Sequence, residues 1–83
     1  MTHETTLRER ARAAMLSGKI PACRPDGTLT GRGSGEICPI CSAPVPETDM
    51  ELEIEFARGG PCVDRYHVHP QCFAVWDAER PRP

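Results

Sequence analysis

Cysteine and histidine residues occur in two pairs that have the spacing of metal ligands. Two residues separate Cys38 from Cys41, and two separate His69 from Cys72. Thiolates and neutral imidazoles are the donors that Zn²⁺ takes in a tetrahedral site. Four protein ligands would close that site and leave no position for a substrate water. The spacing therefore predicts a structural zinc site.

The choice of histidine stays open, because His67 lies two residues before His69. The separation of His69 from Cys72 suits one turn of a helix, which favours His69 as the ligand. His67 is then an alternative ligand or a neighbour of the site. Cys23 and Cys62 have no partner at ligand spacing and are interpreted as free thiols.

Length and composition favour a metal over disulfides as the stabilising element. The chain has 83 residues, with five cysteines and only two Phe, one Trp and one Tyr. Such a short chain buries little apolar surface and usually needs disulfides or a bound metal to stabilise its fold. The odd cysteine count and the polar start of the sequence, without a secretory segment, predict a reduced, cytoplasmic protein.

A redox function for the first cysteine pair is the rival interpretation. A thioredoxin-like pair needs a helix that begins at its first cysteine, because the helix N-terminus lowers the thiol pKa. Pro44 and Pro46 follow too closely for that helix. The pattern therefore favours a metal-binding turn from Cys38 to Cys41.

The N-terminal part of the chain predicts a helix followed by a linker. Residues 6–17 begin with Thr6 and Glu9 at capping-box spacing and carry a thin apolar stripe, mostly of alanine. Residues 19–36 contain two Pro and four Gly. This composition is typical of a flexible linker without fixed structure.

The C-terminal part predicts a β-hairpin and a helix. From Met50 to Phe56 apolar and acidic residues alternate, which predicts a strand with Met50, Leu52, Ile54 and Phe56 facing the core and Glu51, Glu53 and Glu55 facing solvent. A turn at residues 59–61 and a strand from about Cys62 to Val68 complete the hairpin. A helix then begins at Pro70, with His69 as its cap and Phe73 and Trp76 on its apolar side, and ends before Pro81.

These elements predict a small, zinc-stabilised α+β domain with a treble-clef-like order: zinc turn, β-hairpin, C-terminal helix. The predicted boundaries are 1–18 for the N-terminal helix and tail, 19–36 for the linker, 37–80 for the zinc finger and 81–83 for a tail. We expect the finger to be small enough that its folding depends on the metal.

The ligand pattern resembles known zinc-finger families over residues 38–76. Cys-x-x-Cys followed by His-x-x-Cys-Phe is similar to the first zinc site of LIM domains. It resembles the poly(ADP-ribose) polymerase-type finger more closely, through Val45-Pro46, the hairpin, Tyr66-His67 and Cys72-Phe73. The chain also resembles small bacterial proteins that carry one such finger. In the polymerase-type finger the aromatic residue directly precedes the ligand histidine, whereas here Tyr66 precedes His67.

Charge distribution bears on the partner that such a finger would bind. Residues 1–37 carry six basic and four acidic residues, whereas residues 38–83 carry eight acidic and four basic ones. The polymerase-type resemblance implies binding to DNA ends, but an acidic finger opposes phosphate contact. We therefore expect a non-catalytic finger that binds protein through its acidic hairpin face or its basic N-terminal arm. A nucleic-acid-binding finger is the alternative, and a thiol redox or zinc enzyme is a third.

Overall fold

The computed structural model describes residues 3–57 and 63–81, with side chains from residues 6–57 and 64–81. Two helices and a three-stranded antiparallel sheet make a small α+β fold. The elements are α1 His3–Leu16, β1 Gly27–Arg32, β2 Met50–Ala57, β3 Val63–Val68 and α2 Pro70–Glu79. Helix α2 and strands β2 and β3 lie where the sequence predicted them. Helix α1 begins at His3, three residues before the predicted start, so Thr6 lies inside the helix and is not its cap. The turn at residues 59–61 and Cys62 lie outside the described residues.

Strand β1 corrects the prediction of a structureless linker. It pairs antiparallel with β2, from Gly27 opposite Glu55 to Arg32 opposite Met50. The sheet order is β1-β2-β3, so β2 is the central strand and the sheet is larger than the predicted hairpin. The glycines around β1 gave it the composition of a linker. Pairing with a strand about 25 residues further along the chain stabilises it, and composition does not reveal such pairing.

Helix α1 packs on α2. The thin apolar stripe of α1, mostly alanine, did not by itself predict this contact. Leu7, Ala11 and Ala14 are buried, and Arg12 Nε lies 2.6 Å from Glu79 Oε1. Alanines at the contact let two helices approach closely, and this packing offsets the cost of helix nucleation.

No helix in the described part of the chain is long and apolar enough to cross a membrane.

Trp76 lies at the centre of the core, between α2 and the sheet. Its side chain is fully buried, with ring centroids 6.1 Å from Phe56 and 5.7 Å from Phe73. Its Nε1–H donates to the Pro21 carbonyl at 3.1 Å. This hydrogen bond satisfies the indole and holds the segment after α1 on the core. The predicted core residue Met50 is instead 59% exposed, at the first position of β2.

Glu51 also departs from its predicted place on the solvent face, since only 6% of it is exposed. It accepts hydrogen bonds from Ser34 Oγ at 2.6 Å and from the Ser34 N–H at 3.2 Å. His67 Nδ1 lies 2.8 Å from its other oxygen. Burial acts to raise the pKa of Glu51, but the Ser34 and His67 hydrogen bonds outweigh it and hold that pKa below its usual value. The carboxylate therefore stabilises the fold at neutral pH and loses this contribution as pH falls through its folded pKa.

One glycine of the predicted linker is required by close packing of two loops. Gly33 directly follows β1, and a Cβ atom there would lie 1.9 Å from the Pro46 carbonyl oxygen and 2.8 Å from that of Val45. Both obstacles are backbone atoms, so relieving the overlap requires one of the loops to move. The Gly33 N–H also donates to the Asp49 carbonyl at 2.9 Å, which opposes such a movement.

We expect Gly33→Ala to lower the free energy of unfolding by about 2–3 kcal/mol, the upper part of the range for overpacking. The matched control is Gly31→Ala, because a Cβ at Gly31 would meet no atom within 4 Å. That variant is expected to raise the free energy of unfolding by about 0.5–1 kcal/mol, because glycine inside a strand is less favourable than alanine. Urea titrations at saturating zinc measure both. Equal stability of the two variants would contradict the close approach at Gly33.

Candidate metal centre

A tight turn at residues 37–44 positions the first cysteine pair. An antiparallel bridge between Ile37 and Pro44 closes the turn. Inside it, the Cys38 N–H donates to the Ala43 carbonyl, and the Ser42 N–H donates to the Cys38 carbonyl, each at 2.9 Å. Ser42 takes a left-handed conformation with φ 66°, which reverses the chain directly after Cys41. No helix begins at Cys38, so the structure lacks the helix N-terminus that a thioredoxin-like pair requires.

The start of α2 positions the second pair. His69 is the N-cap residue, with extended backbone angles of φ −70° and ψ 146°, and Pro70 follows at the first helical position. The Phe73 N–H donates to the His69 carbonyl at 2.9 Å and closes the first turn. Cys72 lies in that turn, three residues after His69, so the two side chains share one side of the helix end.

The fold brings Cys38, Cys41, His69 and Cys72 together, and their ligand atoms all lie within 4.8 Å of one another. His69 Nδ1 is 3.4 Å from Cys41 Sγ and 3.7 Å from Cys72 Sγ. With Zn–S bonds of about 2.3 Å, a tetrahedral site has edges of about 3.8 Å. The donor set and its spacing therefore fit a zinc ion, and these four residues would hold it.

The protonation of His69 also suits a metal ligand. Its Nε2 lies 3.1 Å from the Pro44 carbonyl oxygen, which can only accept a hydrogen bond. Nε2 therefore carries the proton in the neutral ring, and Nδ1 has its lone pair free toward the three sulfur atoms. A carbonyl partner of this kind fixes the tautomer and orientation of many metal-binding histidines. Sequence reasoning missed Pro44 in this role, since nothing in the spacing pairs residues 44 and 69.

Contact between Cys38 and Cys72 shifts the pKa values of the two thiols in opposite directions. A hydrogen bond from the Cys72 thiol is the largest cause that lowers the pKa of Cys38 to about 4; burial opposes it, and backbone N–H groups of Cys41, His69 and Ile40 assist. The same contact with Cys38, followed by burial, raises the pKa of Cys72. A divalent ion would bind both as thiolates.

The remaining candidates lie elsewhere or are engaged in other contacts. His67 contacts Glu51 and is not among the four clustered residues. Cys23 is an exposed free thiol, and Cys62 lies outside the described residues. Arg10, assigned from the sequence to a basic arm, donates through Nη1 to the Cys41 carbonyl at 2.8 Å. Helix α1 thus braces the metal-binding turn, a contact that no sequence motif indicated.

Comparison of this chain with protein-family models, with curated proteins and with solved structures found no match. The likeness to polymerase-type and LIM-type fingers therefore remains a resemblance of ligand spacing.

Proposed function

We propose that this chain is a non-catalytic zinc finger of treble-clef type that binds another protein. The observation that carries the proposal is the cluster of four protein donors, three thiols and one imidazole, at tetrahedral spacing. Four protein ligands complete the coordination of zinc, so the ion would have a structural role. The metal would hold the turn at residues 37–44 against the start of α2, and the surface of the domain would provide the function.

The acidic face of the sheet supports a protein partner. Glu53 and Glu55 of β2 share one basic neighbour, Arg65 of β3, at 3.7 and 3.8 Å. Ion pairs at such distances contribute little when the basic partner is exposed, so the two half-buried carboxylates stay available to a partner. The basic N-terminal arm is less suited to binding, because Arg10 and Arg12 already contact Cys41 and Glu79.

We expect the zinc-loaded chain not to bind duplex DNA with useful affinity. The half of the chain with the zinc ligands has eight acidic and four basic residues. Three thiolates would more than offset the charge of the zinc ion. Any contact with phosphates should be non-specific, with a dissociation constant of about 10⁻⁴ M or weaker at physiological salt. Titration of labelled blunt-ended and nicked duplexes measures this, and micromolar binding that Arg65→Gln weakens would favour the nucleic-acid alternative.

The matching experiment for protein binding is affinity capture with the zinc-loaded full chain and identification of the captured proteins by mass spectrometry. The control is the metal-free chain, which we expect to unfold and so to lose its binding surface. A partner retained only by the zinc-loaded chain supports the proposal. Absence of any such protein would overturn the proposal, and micromolar DNA binding by the same chain would then favour the nucleic-acid alternative.

A further inference from the structure

The outer edge of β1 is open. Strand β1 lies at one edge of the sheet, and five of its six residues are exposed. The Gly33 N–H donates to the Asp49 carbonyl in register with the β1–β2 ladder, which sets the alternation of the strand. The backbone groups of Thr28, Thr30 and Arg32 therefore point away from β2. Within residues 3–57 and 63–81, no strand pairs with that edge.

Strand β1 has few of the features that usually block pairing at a sheet edge, and its one charged residue, Arg32, is at its end. Between Gly27 and Arg32 it contains no proline, no lysine and no acidic residue, and its six pairs with β2 run without a bulge. Proteins commonly protect edges with charge, proline or bulges. The opposite edge strand, β3, carries the charged residues Asp64 and Arg65. The two edges therefore differ in their readiness to accept another strand.

Strand β1 contains two glycines, Gly27 and Gly31, at positions where the described fold leaves room for a side chain. Gly27 and Gly31 alternate with Leu29 on the face that carries the β2 acidic residues, and Gly27 lies opposite Glu55. A Cβ at either glycine would meet no atom within 4 Å, and neither has a positive φ. Glycine inside a strand costs about 0.5–1 kcal/mol relative to alanine. It often marks a place where a ligand or another backbone approaches closely.

We propose that the outer edge of β1 binds an extended, basic segment of the partner protein as a fourth strand; this inference rests on the proposed function. Neighbouring strands lie about 4.8 Å apart, so the added strand would run about 10 Å from β2. A lysine or arginine of that segment crosses β1 over Gly27, where no side chain obstructs it, and reaches Glu55 and Glu53. Main-chain hydrogen bonds supply the affinity in this mode, and the side chains supply the specificity.

Charge and apolar exposure on this face define the segment further. Among the described residues, Arg65 is the one cation that pairs with Glu53 and Glu55, which leaves these three side chains net negative. Leu29 lies between the two glycines and is 58% exposed. The segment that fits has basic, apolar and basic residues on one face, at alternate positions. A peptide with the sequence Thr-Lys-Thr-Val-Thr-Lys-Thr presents that face.

The test is titration of this peptide into the ¹⁵N-labelled, zinc-loaded full chain. We expect the amide signals of Thr28, Thr30 and Arg32 to shift together. Two control peptides separate backbone pairing from charge. One has every backbone nitrogen methylated and keeps its lysines, and the other has glutamate in place of lysine. Neither is expected to bind.

Three variants localise the contact. Gly27→Val should raise the melting temperature, because valine favours a strand, yet weaken peptide binding at least about tenfold. Replacing Glu53 and Glu55 with Gln should weaken binding about fivefold while the fold is kept. Glu47→Gln removes an exposed carboxylate outside β2 and should leave binding unchanged.

Several outcomes would overturn the inference. Equal binding of the methylated peptide, or full binding by Gly27→Val, would show that the contact is not strand addition at β1. Self-association that shifts the β1 amides without peptide would make a second copy of this chain the occupant. If Gly27→Val still captures the partner of the native chain, the edge inference fails while the proposed function stands. If the native chain captures no protein, the proposed function itself fails.

Discussion

Removal of zinc with a chelator is expected to unfold the sheet and release α2. The fully buried core is small, with Trp76, Phe56 and Ile20 as its largest side chains. Zinc binding contributes about 10–16 kcal/mol in small fingers at neutral pH, more than such a core can supply alone. Trp76 is the only tryptophan, so its fluorescence should shift to the red as it leaves the contact with Phe56. Proton NMR dispersion should collapse in parallel.

Acid should give the same result, because protons compete with zinc for the thiolates and the imidazole. Affinity for the metal therefore falls as pH falls, and refolding should follow neutralisation in the presence of zinc. Addition of excess zinc to the chelated chain is the control for irreversible damage. A chelated chain that keeps native Trp76 fluorescence and a dispersed spectrum would show that the core suffices without metal.

His69→Ala is expected to abolish stable zinc binding, whereas His67→Ala should retain the metal. Nδ1 of His69 faces the sulfur atoms of Cys41 and Cys72, so loss of the imidazole removes one of the four zinc ligands. His67 instead contacts Glu51, and its removal should cost about 1–3 kcal/mol through an under-satisfied buried carboxylate. Metal analysis after dialysis against a competing chelator measures the first effect, and urea titration measures the second.

His69→Cys provides the rescue control, since a fourth thiolate can complete a structural zinc site. It should restore metal content that His69→Ala loses. Zinc lost from His67→Ala and kept by His69→Ala would reverse the ligand assignment. Zinc kept by both alanine variants would mean that neither imidazole is needed to hold the ion.

The sequence was sufficient for the features that depend on local spacing. Strand β2 follows from its alternation and helix α2 from its cap and prolines. Helix α1 follows from its periodicity, although it begins at His3 and not at the predicted cap Thr6. The grouping of Cys38 with Cys41 and of His69 with Cys72 follows from the geometry of a turn and of one helical turn. Such features were predictable because the residues that decide them lie within a few positions of one another.

The tertiary structure decided the features that depend on contacts between distant segments. Strand β1 forms because β2 pairs with it, and Gly33 is required because the loop at Val45 and Pro46 passes against it. Glu51 is buried because Ser34 and His67 reach it from other elements, although its own strand pattern places it toward solvent. Burial, pairing and hydrogen bonding of this kind depend on how the elements pack in three dimensions, which spacing along one segment does not encode.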